Sequence, residues 1–320
     1  MDYRKQMIVK PGQKLGLKDV DPAFKGRYET HESAAQELER YRQKLGQMQA
    51  LLYAEEKHSV LIVLQALDAG GKDGTVNHVF TAFSPQGTSV VSFKQPTPIE
   101  RDHDFLWRVH PHAPPKGWVA IFNRSHYEDV LIARVHKLVD KPTWTARYDR
   151  VRSFESGLRE SGTTIVKFFL HIGKEGQLAR FAQRLDDPAR NWKISESDYA
   201  ERALWDDYME AFEDALSATS TRDAPWYVIP ANHKWFRNLA VSRIRWKSLA
   251  WRFPSQRSIS PRSGENTTRR RKRSAGTSAA RRPRQENPPN GVGKLSPFGG
   301  AAMHRRARNK TQARGMESDI

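Results

Sequence analysis

The sequence predicts an α/β fold, a parallel sheet with helices on both faces, and three observations predict it. Short apolar runs, many of them β-branched, lie at Val60–Leu64, Trp118–Phe122, Thr163–Leu170 and Trp226–Ile229. Such runs suit strands covered on both faces, and they alternate with stretches of helical periodicity. The stretch from Ser59 to Phe83 reads as a buried strand, a glycine turn with one lysine and two aspartates, and a helix carrying Val76, Val79, Phe80 and Phe83 inward. Nothing repeats at the period of a solenoid.

Taken in order, residues 1 to about 28 mix Pro11, Gly12, Gly16 and Pro22 and read as an extended arm. Thr30 to Glu56 is a long polar helix whose stripe of Leu38, Tyr41, Leu45, Met48, Leu52 and Tyr53 forms a packing face. In the next unit Gly70 and Gly71 permit a tight turn whose amides can point at an anion. Lys72 then opens a helix, at the end where dipole and free amides already favour phosphate. This is nearly the pattern G-x-x-x-x-G-K-S/T, with Ala66 in place of the first glycine and Asp73 in place of the hydroxyl residue. Asp68 and Asp73 would repel a phosphate unless a cation lay between, so the segment predicts phosphate and Mg2+ together.

A strand at Ser89–Phe93 follows. Thr97, Pro98 and Glu100 form a helix-start signal, and the helix is expected to run to about Val109, burying Phe105, Leu106 and Val109. After the strand Trp118–Phe122 come Asn123, Arg124, His126, Glu128 and Asp129, at the carboxyl end where open α/β sheets bind ligands. Val130 to Leu138 and Arg147 to Glu160 read as helices, and Thr163–Leu170 as a strand. Gly173 opens a basic helical stretch in which Arg180 and Arg184 leave one face at i,i+4, resembling a lid that closes cations over phosphates. Ser195 to Leu216 reads as one long amphipathic helix, and Asn232 as the cap of the last.

Bulk properties narrow the class. With no cysteine, neither a disulfide framework nor a thiolate metal site can form. No apolar run approaches membrane-spanning length, so a soluble cytoplasmic protein is the expectation. The net charge of +18 suggests a nucleic-acid binder, but residues 245–320 carry 19 Lys+Arg against 4 Asp+Glu. The first 244 residues hold 35 against 32, so the body is nearly balanced and nucleic acid is expected only through the tail. From about 255 onward the tail has almost no large apolar side chains, and this composition predicts disorder. Two readings of it stand: a functional basic tail, or an out-of-frame translation that begins where the last helix loses its pattern after Ile244.

Together LDAGGKDGTV (67–76), SFKQPTP (92–98), DFLWRVH (104–110), IFNRSHYEDVL (121–131), RFAQRLDDPARNWK (180–193) and WYVIPANHKWFRNLAVSRI (226–244) resemble the polyphosphate kinase 2 family. The resemblance covers about residues 1–244. It implies a three-layer α/β/α P-loop kinase fold, related to thymidylate kinases, with a parallel sheet and a helical lid. The division that follows is an arm and helix at 1–57, a phosphotransferase domain at 58–244 with its lid at about 173–195, and the tail at 245–320. It implies Mg-dependent transfer of a terminal phosphoryl group between inorganic polyphosphate and nucleoside mono- or diphosphates, by direct in-line displacement. The wording of SFKQPTP and FNRSHYEDVL is similar to the branch that phosphorylates both acceptor types.

Carried onto these positions, the Gly70 and Gly71 amides and Lys72 cradle phosphates, with Asn123 and Arg124 contacting them from the opposite wall. Asp68, Asp73 and Glu128 or Asp129 hold Mg2+ or orient the acceptor, and Arg180, Arg184 and Lys193 grip the chain. The catalytic set is then Asp68, Lys72, Asp73, Arg124 and Asp129, while His126 and His171 are structural. The aromatic content of the first and late helices permits a homo-oligomer. Two other readings remain: an ATP-dependent nucleotide kinase of the same fold, which a phosphate-donor screen separates, and a polyanion-binding protein with a vestigial site, which would bind without turnover.

Overall fold

The structure, a computed structural model, describes residues 2–250, with side chains through Ile244. The tail expected from composition lies, from residue 251 on, outside the described residues. Strands β1 (Ser59–Gln65), β2 (Thr88–Ser92), β3 (Val119–Asn123), β4 (Thr163–His171) and β5 (Trp226–Pro230) form one sheet in the order β2-β3-β1-β4-β5. All four pairings are parallel, so this is the all-parallel sheet the apolar runs predict. Helices α1 (Tyr3–Met7), α2 (His31–Glu55), α3 (Lys72–Val79), α4 (Pro98–Arg101) and α5 (Glu128–Val135) are followed by α6 (Lys141–Glu160), α7 (Lys174–Asp186), α8 (Glu196–Ala203), α9 (Trp205–Thr219) and α10 (Lys234–Ala250).

The alternation of side chains along each strand builds two cores. Val60, Ile62 and Leu64 of β1 join Val119, Ile121, Phe168 and Ile229 on the face covered by α2, α3 and α10. Leu61 and Val63 join Ala120, Phe122, Phe169 and Val228 on the face covered by α5, α6 and α9. β1 and β4 are buried at every residue, which is why they read as unbroken apolar runs. α2 packs along α10 through Tyr41 and Leu239.

The strand order creates the site. From β1 the chain crosses over β3 to β2 on one face, and from β3 it crosses over β1 to β4 on the other. β1 and β3 are neighbours whose connections part, so a crevice opens beyond their carboxyl ends. The glycine turn at Gly70–Gly71 leaves β1 on one side of it, and the turn before α5 leaves β3 on the other.

Several expected elements take a different form. The capping box at Thr97 forms, the Thr97 side chain accepting from the Glu100 amide and the Glu100 carboxylate accepting from the Thr97 amide. The helix nevertheless ends at Arg101 instead of near Val109, because the Asp104 carboxylate takes the Leu106 amide at 3.0 Å and starts a separate turn. Leu106 and Val109 are buried all the same. The expected single helix from Ser195 to Leu216 breaks at Leu204: α8 buries no residue, whereas α9 buries seven against the sheet, so only α9 is held to the core's direction. α6 starts at Lys141, earlier than Arg147, because the Asp140 side chain caps it through the Thr143 amide. Asn232 does not serve as the expected cap of the last helix; its Oδ1 accepts from the Gly173 amide at 2.9 Å, tying the start of α7 to the end of β5. The N-terminal arm is partly ordered by the sheet, with α1 leading into an antiparallel bridge from Ile8 to Tyr227. Tyr53 falls off the buried stripe of α2 and is 42% exposed. α10 runs on to Ala250, past the boundary read at Ile244.

Candidate active site

The phosphate loop is shaped by crowding. A Cβ on Gly70 would lie 2.6 Å from that of Ala66 and 2.9 Å from the Leu67 carbonyl oxygen, so the turn has no room for a side chain there. Gly71 sits at φ +103°, where side chains are strained, and Ala69, two residues earlier, at φ +57°. The Lys72 Nζ folds back over the loop and donates to the Ala66 carbonyl at 2.7 Å and the Leu67 carbonyl at 3.4 Å. Burial pushes the Lys72 ammonium below its ordinary range, against the pull of Asp68.

Two contacts cross the crevice. Arg124 donates to Asp68 at 3.1 Å, and the Asn123 side-chain amide donates to Asp73 at 2.7 Å. Arg124 itself holds φ +64°, a left-handed backbone uncommon for a non-glycine residue, which turns the chain sharply at the end of β3. Its backbone amide is pinned to the Leu64 carbonyl at 3.1 Å. Glu128 opens α5 within the field of Lys72, Arg124 and Asp68. Burial raises its carboxyl above the ordinary value, while Arg124 and Lys72 pull the other way. Five of the expected residues, Asp68, Lys72, Asp73, Asn123 and Arg124, thus meet with Glu128 around one crevice.

Asp129 does not join them. Its carboxylate faces Arg108 and Arg147, each 3.8 Å away, and Arg147 also donates to its backbone carbonyl at 2.7 Å. It ties α5 to α6 and to the segment after β2.

The basic residues of the α7 region divide by depth. Arg180 is buried, and its guanidinium donates to the carbonyls of Ala69 at 2.6 Å, Asn232 at 3.1 Å and Ala231. It braces the phosphate loop against the end of β5 and is pushed down to about 10, by burial first and then by Arg184. Arg184 is half-buried and donates to the Lys193 carbonyl at 3.1 Å, and the Lys193 ammonium lies 3.9 Å from Asp73 at the start of α3.

Sequence reasoning missed Gln177, which donates to the Asp68 carbonyl at 3.0 Å, and Arg237 of α10, which lies against the loop glycines. Gln177 stands three residues before Arg180 on the same helix face, a signal that was available. A cavity of about 420 Å³ adjoins the crevice, between Asp68, Arg124 and Glu128 on one side and Glu201, Trp205 and Tyr208 on the other. The Tyr208 hydroxyl donates to Glu201 at 2.5 Å, linking α9 to α8 at its rim. Another cavity, of about 450 Å³, lies by α6 between Asp149 and Asp223. Its arginines are already neutralised, Arg159 by Asp223 at 3.3 Å and Arg152 by Asp149, and no phosphate loop borders it.

A lysine-bearing glycine turn between the first strand and its helix, at the switch point of this parallel sheet, defines a P-loop kinase. The polyphosphate kinase 2 family model matches residues 28–256, and the chain belongs to that family. It is 48% identical over 260 residues to the AMP/ADP-polyphosphate phosphotransferase of Meiothermus ruber, covering 80% of this chain and 97% of that one. It is 44% identical over 256 residues to the ADP-polyphosphate phosphotransferase of Rhodopseudomonas palustris, covering 75% and 87%. The crystal structure of polyphosphate kinase 2 from Arthrobacter aurescens superimposes with a TM-score of 0.78 at 40% identity, covering 85% of this chain and 96% of that one.

Proposed function

We propose that the protein transfers a phosphoryl group between inorganic polyphosphate and AMP or ADP, by in-line displacement in the crevice between β1 and β3. The observation that carries this reading is the pairing of Lys72 with the two crossing contacts, Arg124 to Asp68 and Asn123 to Asp73. Phosphoryl transfer asks the protein for positioning and charge stabilisation more than for covalent help. Lys72, released from the Ala66 carbonyl, and Arg124, released from Asp68, supply two cations to oxygens that gain charge. Membership of the family and the names of its relatives supply the donor and acceptor classes.

Magnesium is the cofactor of this reading. Among the described residues no three His, Cys, Asp or Glu side chains form a cage that could hold a metal alone. The oxygen donors Asp68, Asp73 and Glu128 stand around the loop instead, which fits a hard cation held by one or two carboxylates and completed by substrate phosphates. Bound there, it would neutralise phosphate oxygens.

The test is an assay with polyphosphate, Mg2+ and either AMP or ADP. Formation of ADP or ATP without another phosphate donor is the expected result; turnover only with ATP as donor would overturn it. Within that assay the α7 cations should separate. Arg184→Ala and Lys193→Ala are expected to raise KM for polyphosphate several-fold with KM for the nucleotide unchanged, since each removes one contact to a spaced polyanion. Equal rises for both substrates would sink the donor-side role. Arg180→Ala should instead lower the thermal midpoint, because each carbonyl it leaves unsatisfied costs about 1–3 kcal/mol.

A further inference from the structure

Arg237 is a buried cation that the site described above leaves unused. It lies near the start of α10, 3% exposed, beside the fully buried Phe236. Its Nε and Nη2 donate to the side chain of its neighbour Asn238 at 3.2 and 2.9 Å. No ion pair neutralises it among the described residues, and the charge that acts on it is that of Arg180. Burial, and then Arg180, push it down to about 9, and Lys234 is lowered by burial and then by Arg180, Arg190, Arg237 and Arg184. A guanidinium buried without a carboxylate burdens the fold, so its position calls for a use.

Where it points supplies one. A Cβ on Gly71 would sit 1.7 Å from the Arg237 Nη1, and a Cβ on Gly74 would sit 3.0 Å from Nη2. The guanidinium therefore fills the space that Gly71 and Gly74 leave open, in contact with the backbone of the first turn of α3. Arg180 fixes the loop at the Ala69 carbonyl, and Arg237 backs it two and five residues further on.

We propose that Arg237 is a positioning residue for phosphoryl transfer, holding Gly71 and Gly74 so that the loop amides face the phosphate and lending fixed positive charge to the start of α3. It acts through the loop and does not touch the substrate. The inference rests on reading that loop as the phosphate cradle.

The experiment compares Arg237→Met, which keeps most of the volume without the charge, with Arg237→Lys, in the full chain. Thermal midpoint, kcat and both KM values are measured with polyphosphate and ADP. Arg237→Met is expected to lower kcat by about 10²-fold, the scale of a small misplacement in an active site. KM should hold, and the thermal midpoint should hold or rise because an uncompensated buried charge has gone. Arg237→Lys should recover a substantial part of kcat. Gly74→Ala, which pushes on Nη2, should lower kcat alone and add little to Arg237→Met. Wild-type turnover in Arg237→Met overturns the proposal. So does a loss of turnover that tracks a fallen midpoint and is not relieved by lysine, since that is packing alone. A rise in KM for polyphosphate at unchanged kcat also overturns it, making Arg237 a substrate contact. If the unmodified protein turns over only with ATP as donor, the functional reading fails, and the same comparison run with ATP still decides the role of Arg237.

Discussion

Lys72→Met is expected to lower turnover by about three orders of magnitude, roughly 4 kcal/mol of transition-state stabilisation, while leaving the fold in place. The only partners of the ammonium in the described structure are the carbonyls of Ala66 and Leu67, both in its own loop. Removing it returns those carbonyls to an open crevice and not to a sealed core, so the stability cost is small. What is lost is the ammonium charge that the loop itself carries, folded over the Ala66 and Leu67 carbonyls. The pH profile gives a second measure. Burial holds the Lys72 ammonium below its ordinary 10.5 in the folded protein, so it sheds its proton earlier on the alkaline side than a free lysine does. A reaction that needs the ammonium must therefore decline as pH approaches 10.5 from below. Stability moves the other way through that window, because the unfolded chain binds the proton more tightly than the native one. The comparison needs kcat and KM for the variant beside a near-UV circular dichroism spectrum. Undiminished turnover with a native spectrum would remove Lys72 from the phosphate site.

How much of this could be seen in the sequence depended on how local the cause was. The strand, glycine turn and helix around Lys72 were legible because each is dictated by neighbours: an apolar run buried on both faces, a turn without room for a Cβ, and helical spacing after it. The Thr97–Glu100 box was legible to the atom for the same reason. The length of that helix was not, since a carboxylate at Asp104 chose a competing turn. Glu128 and Asp129 show a different limit. Adjacent residues on a helix point about 100° apart, and sequence alone did not say which of them faces the crevice. The distant pair Arg108 and Arg147 claims Asp129 and leaves Glu128 to the site. Arg180 and Arg184 share a face at i,i+4, yet depth separates them: one is spent on backbone carbonyls and the other lies nearer solvent. Arg237 reaches the loop from more than 160 residues away in sequence, and no spacing rule connects it to Gly71.

The largest expected loss of stability follows from Glu155→Ala, at about 3–5 kcal/mol. Glu155 is 2% exposed on α6 and accepts from the Lys167 ammonium at 2.6 Å, the Tyr127 hydroxyl at 2.8 Å and His126 Nε2 at 3.3 Å. Lys167, wholly buried in the middle of β4, also donates to the Tyr127 hydroxyl at 3.0 Å and the Thr219 carbonyl at 2.9 Å. Deleting the carboxylate strands that ammonium inside the sheet–helix core, and the whole fold has only about 5–15 kcal/mol to lose. The ion pair matters to the site because His126 and Tyr127 stand between Arg124 and Glu128, so the turn that carries both is the first place to loosen. Burial lowers Lys167, and by itself would raise Glu155. The carboxylate nonetheless falls below its ordinary 4.5 because Lys167 and His126 outweigh burial. A depressed carboxyl contributes stability above its unfolded value and loses it as pH falls through the folded one. Urea midpoints for the unmodified protein should therefore drop on acidification below about pH 4.5, and this part of the drop should be missing from Glu155→Ala. Replacing both partners, Glu155→Leu with Lys167→Met, removes the stranded charge and should recover most of the stability. Were the single variant as stable as the unmodified protein, Lys167 would have to be neutral in this core, and the ion pair could not be what holds the Arg124–Glu128 turn.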